Sequence, residues 1–159
     1  GDWSKHRLVP DIVKSYKNGK NLPIRNPSSV RPWQFVLEPL IGYMILAEKS
    51  FKNPKKFNGV WNFGPNNKNI FTVQEIVNYS KKYFNKKLKT NVVHSSYSES
   101  NFLKIDSTKA NNVLKWKNKL SLTKTLELTF LWYENFLNGN DMNSYTQQQI
   151  NNFLKLYRE

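Results

Sequence analysis

Apolar residues recur at helical spacing along much of the chain, and the first such stretch covers residues 7–16. Pro10 falls in the first turn of this predicted helix, where a missing backbone N–H is tolerated, and Asn18-Gly19 supplies a stop signal. One stripe is apolar and comprises Leu8, Ile12, Val13 and Tyr16. The pattern therefore predicts an amphipathic helix with one buried face.

A longer helix is predicted over residues 32–51, directly after Arg31. Pro32 suits a first helical turn. Pro39 interrupts the pattern and indicates either a kink or the start of a second helical segment. The face that we expect to be buried comprises Trp33, Val36, Leu37, Leu40, Ile41, Met44 and Ile45.

Polar capping residues mark further helices. Thr72 with Glu75 three residues later has the pattern of a capping box, Ser107 can cap a short helix over 108–114, and Ser121 can cap the next helix. The stripe after Ser121 comprises Leu122, Leu126, Phe130, Tyr133 and Leu137. A last small helix over 146–157 places Ile150, Phe153, Leu154 and Tyr157 on one side.

Short strands are predicted over residues 22–24, 60–63, 89–94 and 102–106. Because they alternate with helices, the fold class is α/β or, more broadly, mixed α+β and rich in helix. A complete doubly wound domain would contain more and longer strands than these. We expect residues 1–159 to form a single lobe that packs against something else, with 139–159 as a C-terminal linker and short helix.

Composition narrows the class of protein. The 159 residues are 38% hydrophobic and 14% aromatic, which is typical of a globular chain. Cysteine is absent, which excludes disulfides and thiolate metal sites. No apolar run is long enough to span a membrane, so we expect no membrane association and a cytoplasmic location.

The chain carries a net charge of +14, and such an excess attracts polyanions. Lysine, asparagine, isoleucine and phenylalanine rise together when coding DNA is rich in A and T, so we interpret much of the charge as compositional bias. A basic nucleic-acid-binding domain remains the alternative interpretation, and the sequence contains no recognised nucleic-acid motif.

The sequence contains no glycine-rich dinucleotide fingerprint, phosphate-binding loop or HExxH motif. His6 and His94 lie far apart, which argues against a metal site. Carboxylates that could do acid–base work show no paired spacing; they are Asp2, Asp11, Glu38, Glu99 and Asp106. These features favour a binding lobe without catalytic machinery of its own.

Basic residues precede the predicted helix starts at Lys5-His6-Arg7 and at Arg31. Helix N-termini favour anions, and an arginine guanidinium matches phosphate oxygens, so the pair suits a diphosphate. The alternatives are an ordinary ion pair for Arg31 and a solvated loop around Arg7. Trp3, Phe35 and Phe102 are either stacking partners for a base or, more simply, core residues.

Several blocks together resemble a known family. They are Gly1-Asp2-Trp3-Ser4-Lys5-His6-Arg7-Leu8-Val9-Pro10-Asp11, Ile24-Arg25-Asn26-Pro27, Arg31-Pro32-Trp33-Gln34, Val36-Leu37-Glu38-Pro39-Leu40, Trp61-Asn62-Phe63-Gly64-Pro65 and Phe102-Leu103-Lys104-Ile105-Asp106. In this order they resemble the substrate-binding lobe of the CDP-glucose 4,6-dehydratases, in the extended short-chain dehydrogenase/reductase family.

The resemblance implies a two-lobed parent enzyme. An N-terminal Rossmann lobe would hold NAD and the catalytic Tyr-xxx-Lys pair, and the C-terminal lobe would grip the nucleotide diphosphate. CDP-glucose would lose water to give CDP-4-keto-6-deoxyglucose, a precursor of deoxysugars in surface polysaccharide. This chain would then be a fragment that is inactive alone, with no catalytic residue and no cofactor of its own.

The resemblance also implies site residues. Arg7, Leu8, Val9 and Arg31 would contact the ribose and diphosphate, and Ile24 and Arg25 would lie near the cytosine. Asn101 stands where the family is expected to carry a histidine beside an aromatic residue, here Phe102. The implied partners are CDP-glucose, the missing Rossmann lobe and, because an apolar face would be exposed, further copies of the chain.

Overall fold

A computed structural model describes residues 1–66, 70–84, 88–93 and 100–157. The helices in these ranges are α1 (Leu8–Lys17), α2 (Leu37–Lys52), α3 (Pro54–Phe57), α4 (Val73–Ser80), α5 (Leu122–Leu137) and α6 (Met142–Lys155). A π-helical turn spans Ala110–Leu114, and the strands are β1 (Leu22–Ile24) and β2 (Thr90–Val92). The helix-rich mixed fold confirms the predicted class. Among the described helices, none combines the length and apolar character needed to cross a bilayer.

The strands β1 and β2 pair in parallel, with Leu22 opposite Thr90 and Ile24 opposite Val92. The Leu22 N–H donates to the Lys89 carbonyl at 2.8 Å. A parallel pair requires a crossover, here through α2 to α4. The predicted strand 22–24 is confirmed, and the strand within 89–94 is confirmed over Thr90–Val92, while His94 lies outside the described residues.

The predicted strands 60–63 and 102–106 are wrong. Val60 is 82% exposed, and its carbonyl accepts from the Lys109 ammonium at 2.9 Å instead of from a neighbouring strand. Phe102 makes only a single bridge, to Val30. A β-rich local sequence cannot form a strand where no partner backbone lies alongside it.

The main core joins α1, β1, α4 and α5. Phe84 and Phe130 meet edge to face at its centre, with ring centroids 5.6 Å apart. Its buried members are Ile12, Val13, Leu22, Ile24, Ile76, Val77, Phe84, Leu88, Leu122, Leu126, Phe130 and Tyr133. The predicted stripes of α1 and α5 therefore supply much of this core.

Helix α2 begins at Leu37, so the predicted start at Pro32 is wrong. Pro39 lies in its first turn, and extending the helix backward would set the proline ring against the Phe35 carbonyl. Phe35 instead turns inward, where its ring lies 5.6 Å from that of Phe153. The alternative that Pro39 opens a segment is the correct one.

The predicted buried face of α2 is also partly wrong. Leu40 is 44% exposed and Met44 68% exposed, while Glu38 and Gly42 are buried. A Cβ at position 42 would lie 2.3 Å from the Phe63 ring, so glycine is what allows this close approach. The helix therefore packs along Glu38 and Gly42 and leaves much of its apolar face open.

The structure confirms two of the three predicted helix N-caps, those at Thr72 and Ser121. Thr72 and Glu75 form the predicted capping box, with Thr72 Oγ1 accepting from the Glu75 N–H at 3.2 Å. Ser121 caps α5 as predicted. Ser107 does not cap its helix, because its hydroxyl instead accepts from the Gly64 N–H at 2.6 Å. Asp141 caps α6, which therefore starts at Met142 and not at residue 146.

Glu38 is fully buried and joins α2 to the chain's last segment. Its Oε1 accepts from the Lys119 and Leu120 N–H groups at 2.9 and 2.8 Å, and its Oε2 accepts from the Tyr157 hydroxyl. The Trp116 indole donates to the Glu38 carbonyl at 3.0 Å. Dipolar donors thus satisfy the carboxylate, as a buried charge requires.

We expect Thr72→Ala to lower the free energy of unfolding by about 1 kcal/mol, the usual cost of losing an N-cap side chain. Urea unfolding followed by circular dichroism measures it. Thr123→Ala is the matched control, because Thr123 is exposed within α5 and is no cap. Equal stability of the two variants would contradict the capping role.

We expect Tyr157→Phe to lower the free energy of unfolding by about 1–3 kcal/mol, because a buried Glu38 oxygen loses its donor. Tyr145→Phe, within α6, is the control. Burial, together with the Glu38 carboxylate, raises the pKa of Tyr157 above its ordinary value. Since the unfolded tyrosine deprotonates first, this stabilisation is complete below about pH 10 and falls as the pH rises further. A wild-type-to-variant difference that is unchanged from pH 8 to pH 11 would contradict the hydrogen bond.

Candidate functional site

A cavity of about 650 Å³ lies between the start of α1, the strand β1 and the segment that follows β1. Its lining residues are His6, Arg7, Leu8, Asp11, Pro23, Ile24, Arg25, Asn26, Ser29, Arg31, Trp33, Val73 and Val93. The cavity thus combines cationic side chains with an apolar wall, and its volume lies in the range of small-molecule sites.

The loop before α1 is held firmly in place. The Tyr133 hydroxyl donates to the Asp2 carbonyl at 2.6 Å, and the Trp3 ring meets Tyr133 edge to face at 5.3 Å. His6 has φ 62°, a left-handed conformation that histidine adopts more readily than most residues. This turn delivers Arg7 to the N-cap position of α1, at the rim of the cavity.

Arg7 is largely exposed, and its Nε lies 3.8 Å from the Asp2 carboxylate. The Asp2 carboxylate also accepts from the Ser4 N–H at 2.9 Å. This hydrogen bond first, and the Arg7 charge as a smaller cause, lower the pKa of Asp2 below its ordinary value. The guanidinium is therefore oriented by a weak ion pair that an anionic ligand can displace.

The segment after β1 is tied to the start of α4. The Val73 N–H donates to the Ser29 carbonyl and the Gln74 N–H to the Pro27 carbonyl, both at 2.9 Å. The Trp33 indole donates to the Phe71 carbonyl at 2.9 Å. Two of the first N–H groups of α4 are thus used by the protein itself.

Arg31 does not lie at a helix N-terminus, since α2 begins at Leu37. Its guanidinium instead donates to the carbonyls of Val30 and Ser100, at 2.9 and 2.8 Å. The prediction of an anion site at a helix N-terminus is therefore wrong for Arg31. At Arg7 a helix start does border the cavity.

The structure brings together most of the residues that the sequence proposed. Arg7, Leu8, Ile24, Arg25 and Arg31 all line this cavity. Val9 lies instead on a second, mainly apolar cavity of about 510 Å³, beside Phe35 and Trp132. Asn101 lies outside the lining, and its carbonyl accepts from the Val30 N–H at 2.9 Å. The role of all of these residues in ligand binding stays a prediction.

The sequence did not single out Asp11 or Ser29 for binding. Asp11 follows Leu8 by three positions, so a helical wheel places both on one face. Ser29 is 1% exposed, and its hydroxyl has no hydrogen-bond partner among the described residues. No sequence signal marked Ser29, because its position depends on contacts with α4.

Other candidate groups have structural roles or lie elsewhere. Trp3 and Phe35 pack in the core as the simpler interpretation predicted, and Phe102 is 54% exposed. Asp106 accepts from the Thr108 N–H at 2.8 Å. His94 and Glu99 lie outside the described residues. Within the described ranges, no group of acidic or histidine side chains could hold a metal ion.

The described residues do not fit a dinucleotide cofactor. The sequence contains no glycine-rich strand–turn–helix fingerprint, and the only described sheet is the pair of β1 and β2.

No protein-family model matches the chain. The CDP-glucose 4,6-dehydratase of Salmonella typhimurium is 37% identical over 155 residues, which cover 97% of this chain and 43% of that protein. The chain is a relative of the CDP-glucose 4,6-dehydratases. It spans less than half the length of the relative that it matches.

Solved structures agree on the fold. UDP-glucuronic acid 4-epimerase from Bacillus cereus, in complex with UDP-glucuronic acid and NAD, matches with a TM-score of 0.69 at 19% identity, over 82% of this chain and 40% of its own. The dTDP-glucose 4,6-dehydratase of Bacillus anthracis, in complex with NAD, matches with a TM-score of 0.63 at 23% identity, over 81% and 39%. The fold is that of the C-terminal portion of extended short-chain dehydrogenase/reductase enzymes.

We expect the Asp2 carboxyl to titrate below the ordinary value of about 3.9 in an NMR pH series. Because its folded-state pKa is lowered, the stabilisation from this loop is present above the unfolded-state pKa and is lost as the pH falls through the folded one. In Arg7→Ala the Asp2 pKa should rise only in part, since the Ser4 N–H remains. An ordinary pKa in the wild type would contradict this geometry.

Proposed function

We propose that this chain is the nucleotide-sugar-binding part of an NAD-dependent CDP-glucose 4,6-dehydratase. The observation that carries the proposal is the 37% identity to such an enzyme over 97% of the chain. The cavity supports it, because the motif blocks that carry the resemblance supply Arg7, Arg25 and Arg31 to a single lining.

The chemistry of the cavity suits a nucleoside diphosphate sugar. Guanidinium groups match phosphate oxygens in geometry and charge. Leu8, Pro23, Ile24 and Val93 offer an apolar wall of the kind on which a flat base packs. In the proposal, Arg7 and Arg31 hold the diphosphate and the β1 side of the cavity receives the base.

Catalysis and NAD binding belong, in this proposal, to a second lobe. That lobe would supply the Tyr-xxx-Lys pair, and NAD would accept and return a hydride. The open face of α2 supports such a partner, because Val36, Leu40 and Met44 are 62%, 44% and 68% exposed at a spacing of one helical turn. Self-association through the same face, a cytoplasmic location and a role in polysaccharide biosynthesis remain parts of the proposal.

The alternative of a nucleic-acid-binding domain rests on the net charge of +14 alone. Such binding would weaken steeply with salt.

Isothermal titration calorimetry with CDP-glucose tests the proposal, with NAD and a duplex DNA as comparison ligands. We expect CDP-glucose to bind and NAD not to bind. Arg7→Ala should weaken CDP-glucose binding by about tenfold, through the loss of a charge-assisted contact to phosphate. Arg7 is suited to this test because it is exposed and its removal leaves the core intact.

Lys55→Ala is the matched control, since it removes one positive charge from an exposed position on α3. An equal loss of affinity in both variants would show that net charge alone attracts the ligand. Absence of CDP-glucose binding by the wild-type chain would overturn the proposal that this lobe holds the nucleotide sugar by itself.

A further inference from the structure

Asp11 contributes a carboxylate to the cavity, and it is the only acidic side chain among the described residues that line it. It lies in the first turn of α1, one turn after Arg7 and Leu8. No hydrogen bond or ion pair joins its side chain to the residues in the described ranges, and it is not fully buried. The carboxylate therefore has acceptor capacity for a ligand.

A carboxylate in a diphosphate-binding cavity needs an explanation. A phosphate group next to Asp11 would be repelled, since like charges disfavour each other's ionised forms. The part of the cavity next to the Asp11 carboxylate must therefore face a part of the ligand that carries hydrogen-bond donors. In a nucleoside diphosphate sugar those parts are the base and the sugar hydroxyls.

The surroundings of Asp11 favour the base. Leu8 lines the cavity from the same face of α1, and α1 packs against β1, which contributes Pro23 and Ile24. A flat heterocycle fits an apolar wall better than a sugar does, because a sugar exposes hydroxyl groups that must be hydrogen-bonded. Asp11 borders that wall, so it can reach the polar edge of a base packed there.

The chemistry of that edge then decides between bases. Cytosine presents an amino group at N4, which donates to a carboxylate, whereas uracil and thymine present an O4 carbonyl there, which cannot donate. We propose that Asp11 is a specificity-determining residue that accepts a hydrogen bond from the exocyclic amino group of cytosine and disfavours uracil and thymine. This inference rests on the proposed function.

The test compares the affinities of CDP and UDP for the wild-type chain and for Asp11→Asn by isothermal titration calorimetry. The wild type should prefer CDP by about tenfold, the discrimination that a good side-chain contact to a base supplies. In Asp11→Asn the preference should fall to near equality, because an amide can accept from an amino group or donate to a carbonyl. UDP binding should strengthen while CDP binding weakens.

Glu48→Gln is the matched control, because it removes one negative charge from an exposed site on α2 far along the chain from the cavity segments. It should leave the preference for CDP unchanged. The thermal unfolding of each variant, followed by circular dichroism, shows that the comparison is made on folded protein.

The outcomes separate the two proposals. If the wild type binds CDP and UDP equally, or if Asp11→Asn weakens both by the same factor, the carboxylate does not read the base and this inference is overturned, while the proposed nucleotide-sugar site stands. Binding of 2′-deoxy-CDP tests for contact with the ribose. If the wild type binds 2′-deoxy-CDP more weakly than CDP, and Asp11→Asn binds the two equally, the carboxylate contacts the ribose and not the base. If neither nucleotide binds the wild type, both proposals fail.

Discussion

The arrangement of this chain depends on one buried carboxylate. Glu38 has no access to solvent, and its oxygens accept from the backbone of residues 119 and 120 and from the Tyr157 hydroxyl. A buried charge is tolerated only when its acceptor sites are filled. Filling them brings the start of α2, the loop before α5 and the residues just after α6 to one point. This fixes the end at which the segment between β1 and α2 joins α2.

That segment is the part of the molecule most closely connected with function. It is held at its ends by β1 and α2, and in its middle by hydrogen bonds from the first N–H groups of α4. Arg25, Ser29, Arg31 and Trp33 all project from it into the lining of one cavity. A cavity built on irregular backbone needs such support, because loop residues without it lose orientation. The proposed diphosphate contacts thus depend on packing far from the ligand.

The charge pattern of the cavity is asymmetric. Arginines supply the cationic groups, and Asp11 opposes them from α1. In the proposed arrangement, affinity for a diphosphate and choice of base depend on different residues, Arg7 and Asp11, which lie one helical turn apart at the start of α1. This separation explains why Arg7→Ala and Asp11→Asn are expected to give different results: one weakens binding of any nucleoside diphosphate, and the other changes which base is preferred.

The sequence by itself determined the elements whose signals are local. Helical periodicity defined α1 and α5, the Thr72–Glu75 pattern defined a capping box, and the motif blocks contained some of the residues that meet at the cavity, such as Arg7, Arg25 and Arg31. Only the tertiary structure decided the rest. Residues 60–63 have strand propensity but no partner strand, Leu40 and Met44 are apolar but exposed, and Arg31 is held by the Val30 and Ser100 carbonyls and not by a helix mouth. Each of these outcomes depends on what lies across from the residue in space, and local spacing carries no information about that.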